Sequence, residues 1–367
     1  MPSLRSLLVL AAVAFASTAQ IAGAEGLLAA YRDAADSDPQ LQQAASNRLA
    51  QRETKPQARA LSLPNIGASA ELDHNYLQHP LPGQDSTFFS RSIGISLNQP
   101  IFNQGNRVRL RQADSIITQA EADFLNAQQT LIVRVANRYF GVLSALEDLT
   151  FARADKEAIA RQLEQAKQRF AVGLITITDV QEAQARFDSA TSQEIQAANN
   201  VSNSREALRE VTGKEYKQLK TLSARMPLTP PKPTNPEVWV KRALDNNPVI
   251  QSAAQGAETA RYNIDLQKAG HYPTLDLNAR FSDDDDNIGQ GRSSSRSGVI
   301  GLSLNVPIYQ GGAVNSRVRE AAYRHESAKE FLEEQQRSII RQVRDAYRGV
   351  ETAIGQVKAL DQARVSA

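Results

Sequence analysis

Two pairs of segments alternate apolar and polar residues at every second position, as β-strands with one apolar face do. The first pair spans residues 64–99 and the second spans residues 273–306. Prolines bracket both pairs, at Pro64, Pro100, Pro273 and Pro307. Each strand has about ten residues, the length with which a tilted strand crosses a bilayer. The pattern therefore predicts two β-hairpins whose apolar face meets lipid.

Other long stretches carry apolar residues at helical spacing and contain no proline. They predict helices over residues 103–170 and 176–212 in the first half of the chain, and over residues 313–367 in the second. About 68 residues at about 1.5 Å each reach roughly 100 Å, which exceeds the helices of ordinary globular domains. This length favours a coiled coil.

The order helix, hairpin, long helix occurs twice, so the chain is read as a tandem repeat. Three short sequence echoes relate the copies at an offset of about 209 and then about 207 residues: Asp38-Pro39 with Asn247-Pro248, Leu63-Pro64 with Tyr272-Pro273, and Gln99-Pro100-Ile101-Phe102 with Val306-Pro307-Ile308-Tyr309. The first copy is assigned to residues 25–213 and the second to residues 237–367. The proline-rich segment 214–236 is predicted to join them as an extended connector.

The offset also predicts which parts of the second copy are present. It places Ala367 on Ala160 of the first copy. The second copies of the turn after the long helix, and of the helix that returns from it, are therefore expected to be missing from this chain.

The N-terminal residues 1–24 have the features of a secretory signal peptide. Arg5 is followed by an apolar run and then by Ala22-Gly23-Ala24, which fits a cleavage site before Glu25. A retained N-terminal anchor is the alternative. Beyond this segment no window approaches the roughly 18 uninterrupted apolar residues of a transmembrane helix. The protein is expected to leave the cytoplasm.

The amino-acid composition limits the functions that the chain can have. There are 42 Lys and Arg against 40 Asp and Glu, so without Arg5 the net charge is about +1 and nothing indicates nucleic acid. The chain has no cysteine, and its four histidines lack a metal-binding spacing. No nucleophile, base and orienting group form a catalytic set. No cofactor, metal or enzymatic activity is predicted.

The hairpin loops are predicted to be polar and solvated, from Pro80 to Ser86 and from Asp283 to Arg296. The run Asp283-Asp284-Asp285-Asp286 suggests calcium at first sight, but it lacks the spaced ligands and trailing glutamate of an EF-hand. Gly289 and Gly291 have no strand-to-helix context, so they do not predict a phosphate loop.

Together these features resemble the TolC family of outer-membrane efflux proteins over essentially the whole mature chain. The resemblance rests on the tandem repeat, on Pro307-Ile308-Tyr309-Gln310-Gly311-Gly312, and above all on the motif from Val172 to Val180. It implies an α+β membrane protein of the bacterial outer membrane. The implied assembly is a homotrimer, with four strands per subunit forming a 12-stranded β-barrel and a long α-helical coiled-coil tunnel crossing the periplasm.

The resemblance also implies a function and partners. The protein would export drugs or proteins in a tripartite efflux pump or a type I secretion system, together with a periplasmic adaptor (membrane fusion protein) and an inner-membrane transporter. No cofactor is implied. A passive outer-membrane porin and a soluble periplasmic coiled-coil scaffold are the competing interpretations, but porins lack helices of this length and a scaffold leaves the strands unexplained.

Three groups of site residues follow. Val172, Gly173 and Leu174 are expected at the periplasmic tip in contact with the adaptor, and the alternative is a plain helix-breaking turn. Thr178 and Asp179 are expected to help close the tunnel, and the alternative is a capping box of Thr178 with Gln181 or of Asp179 with Glu182. Five aromatic residues are expected at the membrane boundaries, with packing as the alternative: Tyr76, Phe89 and Phe281 at the outer one, and Phe102 and Tyr309 at the inner one.

Overall fold

The computed structural model describes residues 25–77, 86–223, 227–288 and 291–366. The predicted signal peptide, most of the first hairpin loop and Gly289 lie outside these residues. The chain divides into two compact units, which are described separately. Unit 1 comprises the described residues of Met1–Asp38 and Leu131–Met226, and unit 2 those of Pro39–Thr130 and Pro227–Ala367.

The described residues form eight α-helices, one short 3₁₀ helix and four β-strands. In chain order they are α1 (Leu27–Ser37), α2 (Pro39–Arg52), α3 (Thr54–Ala60), β1 (Asn65–Leu77), β2 (Ser86–Phe102), α4 (Gln104–Ala171), α5 (Ile177–Thr212), α6 (Pro236–Asn246), α7 (Pro248–Lys268), the 3₁₀ helix (Ala269–His271), β3 (Thr274–Ile288), β4 (Gly291–Asn305) and α8 (Ala313–Ser366). No helix in the described part of the chain has a stretch long and apolar enough to cross a membrane.

The four strands of unit 2 form one antiparallel sheet in the order β1-β2-β3-β4. With 13 to 17 residues, the strands are longer than the ten predicted. Neither β1 nor β4 has a second strand beside it among the described residues. A long edge of this kind presents unpaired N–H and C=O groups that a further strand would satisfy.

The prediction of a loop from Asp283 to Arg296 is wrong, because β3 and β4 continue through this segment to the pair Ile288 and Gly291. Aspartate is disfavoured in strands, but here cross-strand donors satisfy the carboxylates. Arg296 Nε donates to Asp283 at 3.2 Å, and Ser92 Oγ donates to Asp284 at 2.6 Å.

Helix α4 has 68 residues and is continuous through both units. In unit 1 its C-terminal half packs against α5 along a seam of small and branched side chains: Ala145, Leu149, Ala197 and Val201. Basic side chains add to this seam, since Lys156 Nζ donates to Glu194 at 2.9 Å and Arg153 lies beside it. The hydrogen bond from Lys156 holds the pKa of the Glu194 carboxyl below its usual range.

The repeated dipeptides Asp38-Pro39 and Asn247-Pro248 each lie at a junction between two helices. Asp38 ends α1 with its N–H bonded to Ala34 O, and α2 begins at Pro39. Asn247 ends α6 in the same way, and its side chain accepts from Val249 N to start α7 at Pro248. Proline is tolerated at the first helical position, where its missing N–H has no intrahelical partner.

Candidate membrane surface and helix-hairpin tip

One face of the sheet is lined by large apolar side chains that are exposed in the single chain. The strand register places Ile66 beside Leu97, Leu97 beside Ala279, and Ala279 beside Ile300. We call this face the apolar belt; its most exposed members are Ile66, Ile95, Phe281, Ile300, Leu302 and Leu304. Ile300 is 80% exposed and Leu302 is 69% exposed. A contiguous apolar surface of this kind marks an interaction site.

The opposite face of the same sheet is polar and internally hydrogen-bonded. Asn98 Nδ2 donates to Asn278 Oδ1 at 2.7 Å, across β2 and β3. The hydroxyls of Ser282 and Ser297 lie 2.9 Å apart, across β3 and β4. Because side chains alternate faces along a strand, the sheet separates an apolar surface from a hydrated one.

The register shows where the apolar belt ends toward the hairpin loops. Phe281 lies beside Ile95, and the next outward pair is Ile93 with Asp283. Phe89 lies six residues from Ile95 on β2, about 20 Å along the strand at about 3.4 Å per residue. Phe89 and Phe281 are therefore offset along their strands, and their placement at one outer boundary stays a prediction. Phe281 is at the edge of the belt, whereas Phe89 lies beyond it.

The remaining boundary aromatics lie at three places in unit 2. Tyr76 is exposed and lies beside Thr87, beyond the belt on the side of the hairpin loops. Phe102 ends β2, where a bulge after Pro100 aligns it with Leu275. Tyr309 follows β4 in an extended segment and is 87% exposed.

The α4–α5 turn in unit 1 is closed by backbone hydrogen bonds. Gly173 has φ of 78°, its N–H bonds Phe170 O at 2.8 Å, and the N–H of Leu174 bonds Arg169 O at 2.9 Å. This pair of bonds is the Schellman arrangement, in which a left-handed residue ends a helix and glycine fits without steric cost. Val172 and Leu174 both point into solvent, with Leu174 73% exposed.

A capping box starts α5, but not with the residue pairs expected. Thr176 is the N-cap, and its Oγ1 accepts from Asp179 N at 3.4 Å. In return Asp179 Oδ2 accepts from Thr176 N at 2.7 Å and from Thr176 Oγ1 at 2.8 Å. Pairing Thr178 with Gln181, or Asp179 with Glu182, was therefore wrong, because the helix begins at Ile177 and makes Asp179 its third residue.

The capping box affects the electrostatics of Asp179. The Thr176 hydroxyl and N–H hold the pKa of the Asp179 carboxyl below its usual range. Only Oδ2 is used by Thr176. Asp179 also lines a shallow groove of about 130 Å³ between α4 and α5, together with Ile159, Gln162, Glu182, Ala183 and Arg186. Thr178 is exposed on the first turn of α5. Of the two residues predicted to act as a gate, Asp179 thus lines a groove between α4 and α5.

The functional signal that sequence reasoning missed is Thr176. Its position between the apolar Ile175 and Ile177 and three residues before Asp179 has the capping-box spacing, so the pattern was available. In the described ranges, no three His, Cys, Asp or Glu side chains are grouped so that they could hold a metal ion.

Comparisons with known proteins show the family of this chain. The family described as "Outer membrane efflux protein" matches residues 30–214 and 239–367. Outer membrane protein TolC of Vibrio cholerae is 35% identical over 348 residues, covering 94% of this chain and 78% of the relative. Alkaline protease secretion protein AprF of Pseudomonas aeruginosa is 29% identical over 352 residues, covering 92% and 72%. The Campylobacter jejuni CmeC outer membrane channel superimposes with a TM-score of 0.72 at 18% identity, covering 93% and 73%.

The fold and the apolar belt, together with these relatives, define an outer-membrane channel protein of the efflux and type I secretion class. This chain belongs to the outer membrane efflux protein family. The resemblance read from the sequence motifs is confirmed, and so is the location in the bacterial outer membrane.

Proposed function

We propose that three copies of this chain form a 12-stranded barrel in the outer membrane, continued by an α-helical tunnel through the periplasm. The assembly exports small molecules or proteins and performs no catalysis. It works with a periplasmic adaptor and an inner-membrane transporter. We further propose that the two halves of the chain are copies of one unit joined by the connector 214–236.

The observation that carries this proposal is the exposed apolar belt on a sheet whose strands lead directly into long helices. Only Asn103 separates the end of β2 from the start of α4. At about 1.5 Å per residue, the 68 residues of α4 extend roughly 100 Å, several times the thickness of a bilayer core. A strand embedded in lipid therefore continues into a helix that ends far outside it.

The open edges of the sheet also support an assembly of several copies. Four strands cannot close into a barrel with a lumen, and β1 and β4 each keep one edge without a partner strand within the described residues. Edges exposed to lipid leave backbone N–H and C=O groups unsatisfied, which costs several kcal/mol per group. Pairing β4 of one copy with β1 of the next removes every edge. The number three comes from the family resemblance.

The direct test combines conductance with export. Protein purified from outer membranes is reconstituted into planar bilayers, and a strain lacking the gene is tested for loss of export of dyes and of a secreted protease. Discrete channels together with restored export on complementation support the proposal. Channels in bilayers without any export defect in the deletion strain would instead indicate a passive porin.

The tip of the α4–α5 hairpin is proposed to contact the adaptor through Val172, Gly173 and Leu174. Two apolar side chains held out into water by a rigid turn are suited to a protein partner. Because the chain has no cysteine, Leu174→Cys creates a single crosslinking site. Phe151→Cys on α4 is a matched control, since Phe151 is 74% exposed against 73% for Leu174.

In exporting cells, a photoactivatable crosslinker on the residue-174 cysteine is expected to capture the adaptor, and the same reagent at position 151 is not. Equal capture at both positions, or none at position 174, contradicts the tip assignment while leaving the channel proposal intact.

Thr178 and Asp179 are proposed to help hold the closed state by bonding to a neighbouring tip. An exposed ion pair contributes only about 0.2–1 kcal/mol, so such a latch is weak enough for partner binding to release. The capping role of Asp179 can be tested separately from the proposed gating role. Thr176→Ala breaks the capping box but keeps the Asp179 carboxylate. If Asp179 gates, Asp179→Ala raises single-channel conductance and Thr176→Ala does not. Equal conductance in the two variants means that Asp179 only caps α5.

A further inference from the structure

The first two turns of α4, directly below the apolar belt, carry an unusual run of positive charge. Arg107, Arg109 and Arg111 are all exposed, and the first turn has no acidic residue. A helix N-terminus already bears partial positive charge from its free N–H groups, so cations are disfavoured there.

Two of these arginines are held against aromatic rings instead of carboxylates. The guanidinium carbon of Arg107 lies 4.8 Å from the centroid of the Phe102 ring. That of Arg111 lies 5.8 Å from the centroid of the Tyr262 ring. A guanidinium over a ring keeps the N–H donors on its edge available, in the fork that binds phosphate oxygens.

The nearest acidic residue on this side of the helix is already paired. Asp114 lies three residues after Arg111, but its carboxylate accepts from Lys55 Nζ at 2.7 Å. Within the described part of the chain, neither Arg107 nor Arg111 has a carboxylate within ion-pair distance. The two guanidinium groups are therefore positioned by rings and keep their charge uncompensated.

The depth of these groups can be read from the strand that precedes them. Phe102 aligns with Leu275, so its ring and the guanidinium of Arg107 lie at the end of the belt that leads into α4. Arg107 is about 5 Å along α4 from the first helical residue, and Arg111 is about 6 Å further on the same side. The polar headgroup layer of a bilayer is about 5–8 Å thick on each side of the core.

We propose that Arg107 and Arg111 bind the headgroup phosphates of anionic phospholipids in the leaflet that faces the periplasm. This inference rests on the proposed insertion of the sheet into the outer membrane. The occupant is assigned by charge complementarity and by continuity with the apolar belt, because a lipid whose chains cover Leu275 and Leu304 has its phosphate at this level. Bound phosphate would also relieve the unfavourable positive charge at the helix start.

Arg109 provides a matched control on the same helix. Arg109 lies two residues from Arg107 and two from Arg111, so it faces another side of α4. Its Nη1 donates to Asn106 Oδ1 at 3.2 Å. The test compares Arg107→Gln/Arg111→Gln with Arg109→Gln and wild type. The trimer is titrated with phosphatidylglycerol or phosphatidylcholine, and retained lipids are counted by native mass spectrometry.

The double variant is expected to retain phosphatidylglycerol at least about tenfold less than wild type does. Each basic group near an anionic surface strengthens binding about fivefold. Phosphatidylcholine retention and the Arg109→Gln variant stay at wild-type values. Arg107→Lys/Arg111→Lys, which keeps the charge, retains more phosphatidylglycerol than the glutamine pair. This second variant separates lost charge from impaired folding.

The inference is overturned by unchanged phosphatidylglycerol retention in the double variant, by equal loss of both lipids, or by equal loss in Arg109→Gln. Loss of trimer in lipid-free detergent shows that the arginines contact a neighbouring copy, which also overturns it. Flotation of wild-type protein with vesicles distinguishes failure of the headgroup site from failure of the proposed membrane insertion. Wild-type protein that does not float contradicts membrane insertion itself, whereas floating protein with unaltered lipid retention contradicts only the headgroup site.

Discussion

The sheet and the α4–α5 hairpin use the same kinds of apolar residue in opposite ways. In the sheet, Leu302 and Ile300 stand exposed on one face of β4. In the hairpin, Leu149 and Val201 are buried against each other's helices, at 8% and 5% exposure. The hairpin buries its apolar side chains within one chain, whereas the sheet has an apolar face that only lipid and further strands can cover.

The largest expected effect comes from the buried seam. Leu149→Ala removes a side chain packed between α4 and α5 and is expected to destabilise the hairpin by about 2–5 kcal/mol. Phe151→Ala, at an exposed site on the same helix, is expected to change stability by less than about 0.5 kcal/mol. Thermal unfolding followed by circular dichroism measures both. Similar losses in the two variants would mean that the seam is not the stabilising surface.

A charge on the apolar belt tests the sheet in the same way. Leu97→Arg places a cation beside Ile66 and Ala279 in the middle of the proposed lipid-facing band, at a cost of about 2–4 kcal/mol per subunit. Ser96→Arg puts the same side chain on the polar face one residue away, where water screens it. Trimer yield from outer membranes should fall for the first variant only. Wild-type yield for Leu97→Arg would contradict the assignment of this face to lipid.

Two glycines of unit 1 should respond with opposite signs. At Gly173 φ is 78°, so alanine there is strained and should cost about 1 kcal/mol. At Gly141, inside α4, alanine meets no atom within 4 Å and should stabilise the helix by about 0.5–1 kcal/mol. Denaturant midpoints of the two variants give the comparison. A stabilising Gly173→Ala would show that the turn does not need a left-handed residue.

The smallest effect concerns pH at the start of α5. The pKa of the Asp179 carboxyl is lowered by the Thr176 hydroxyl. A lowered folded-state pKa contributes stability above the unfolded-state pKa, and this is lost as pH falls through the folded value. Amides of the first turn should therefore lose hydrogen-exchange protection only below roughly pH 4, while the last turn near Thr212 is unaffected. Thr176→Ala should lack this protection at neutral pH.

The periodic parts of the fold were predictable from the sequence, and the contacts between strands were not. Helix α4 begins only one residue after the predicted start. The prediction is this close because a long proline-free run with helical apolar spacing leaves little freedom in where the helix lies. The extent of β3 was missed, since Asp283 and Asp284 disfavour strands until Arg296 and Ser92 are placed beside them. Such partners are 13 and 192 residues away in sequence.

The site shows the same division. The turn at Gly173 could be read from one glycine between two helical patterns. The ring contacts of Arg107 and Arg111 could not, because the position of Tyr262 depends on how α7 packs. The depth of Phe281 depends on strand register, which a one-residue slip would invert.

The central claim is that one face of the sheet meets lipid while the other meets water. Leu302→Cys and Ser303→Cys are adjacent on β4 and are exposed in the single chain, and the chain has no other cysteine. Each is labelled with the same fluorophore and the protein is reconstituted into vesicles. Brominated lipid should quench the label at position 302 and iodide the label at position 303. Iodide quenching of both labels, or the reverse pattern, would contradict the claim.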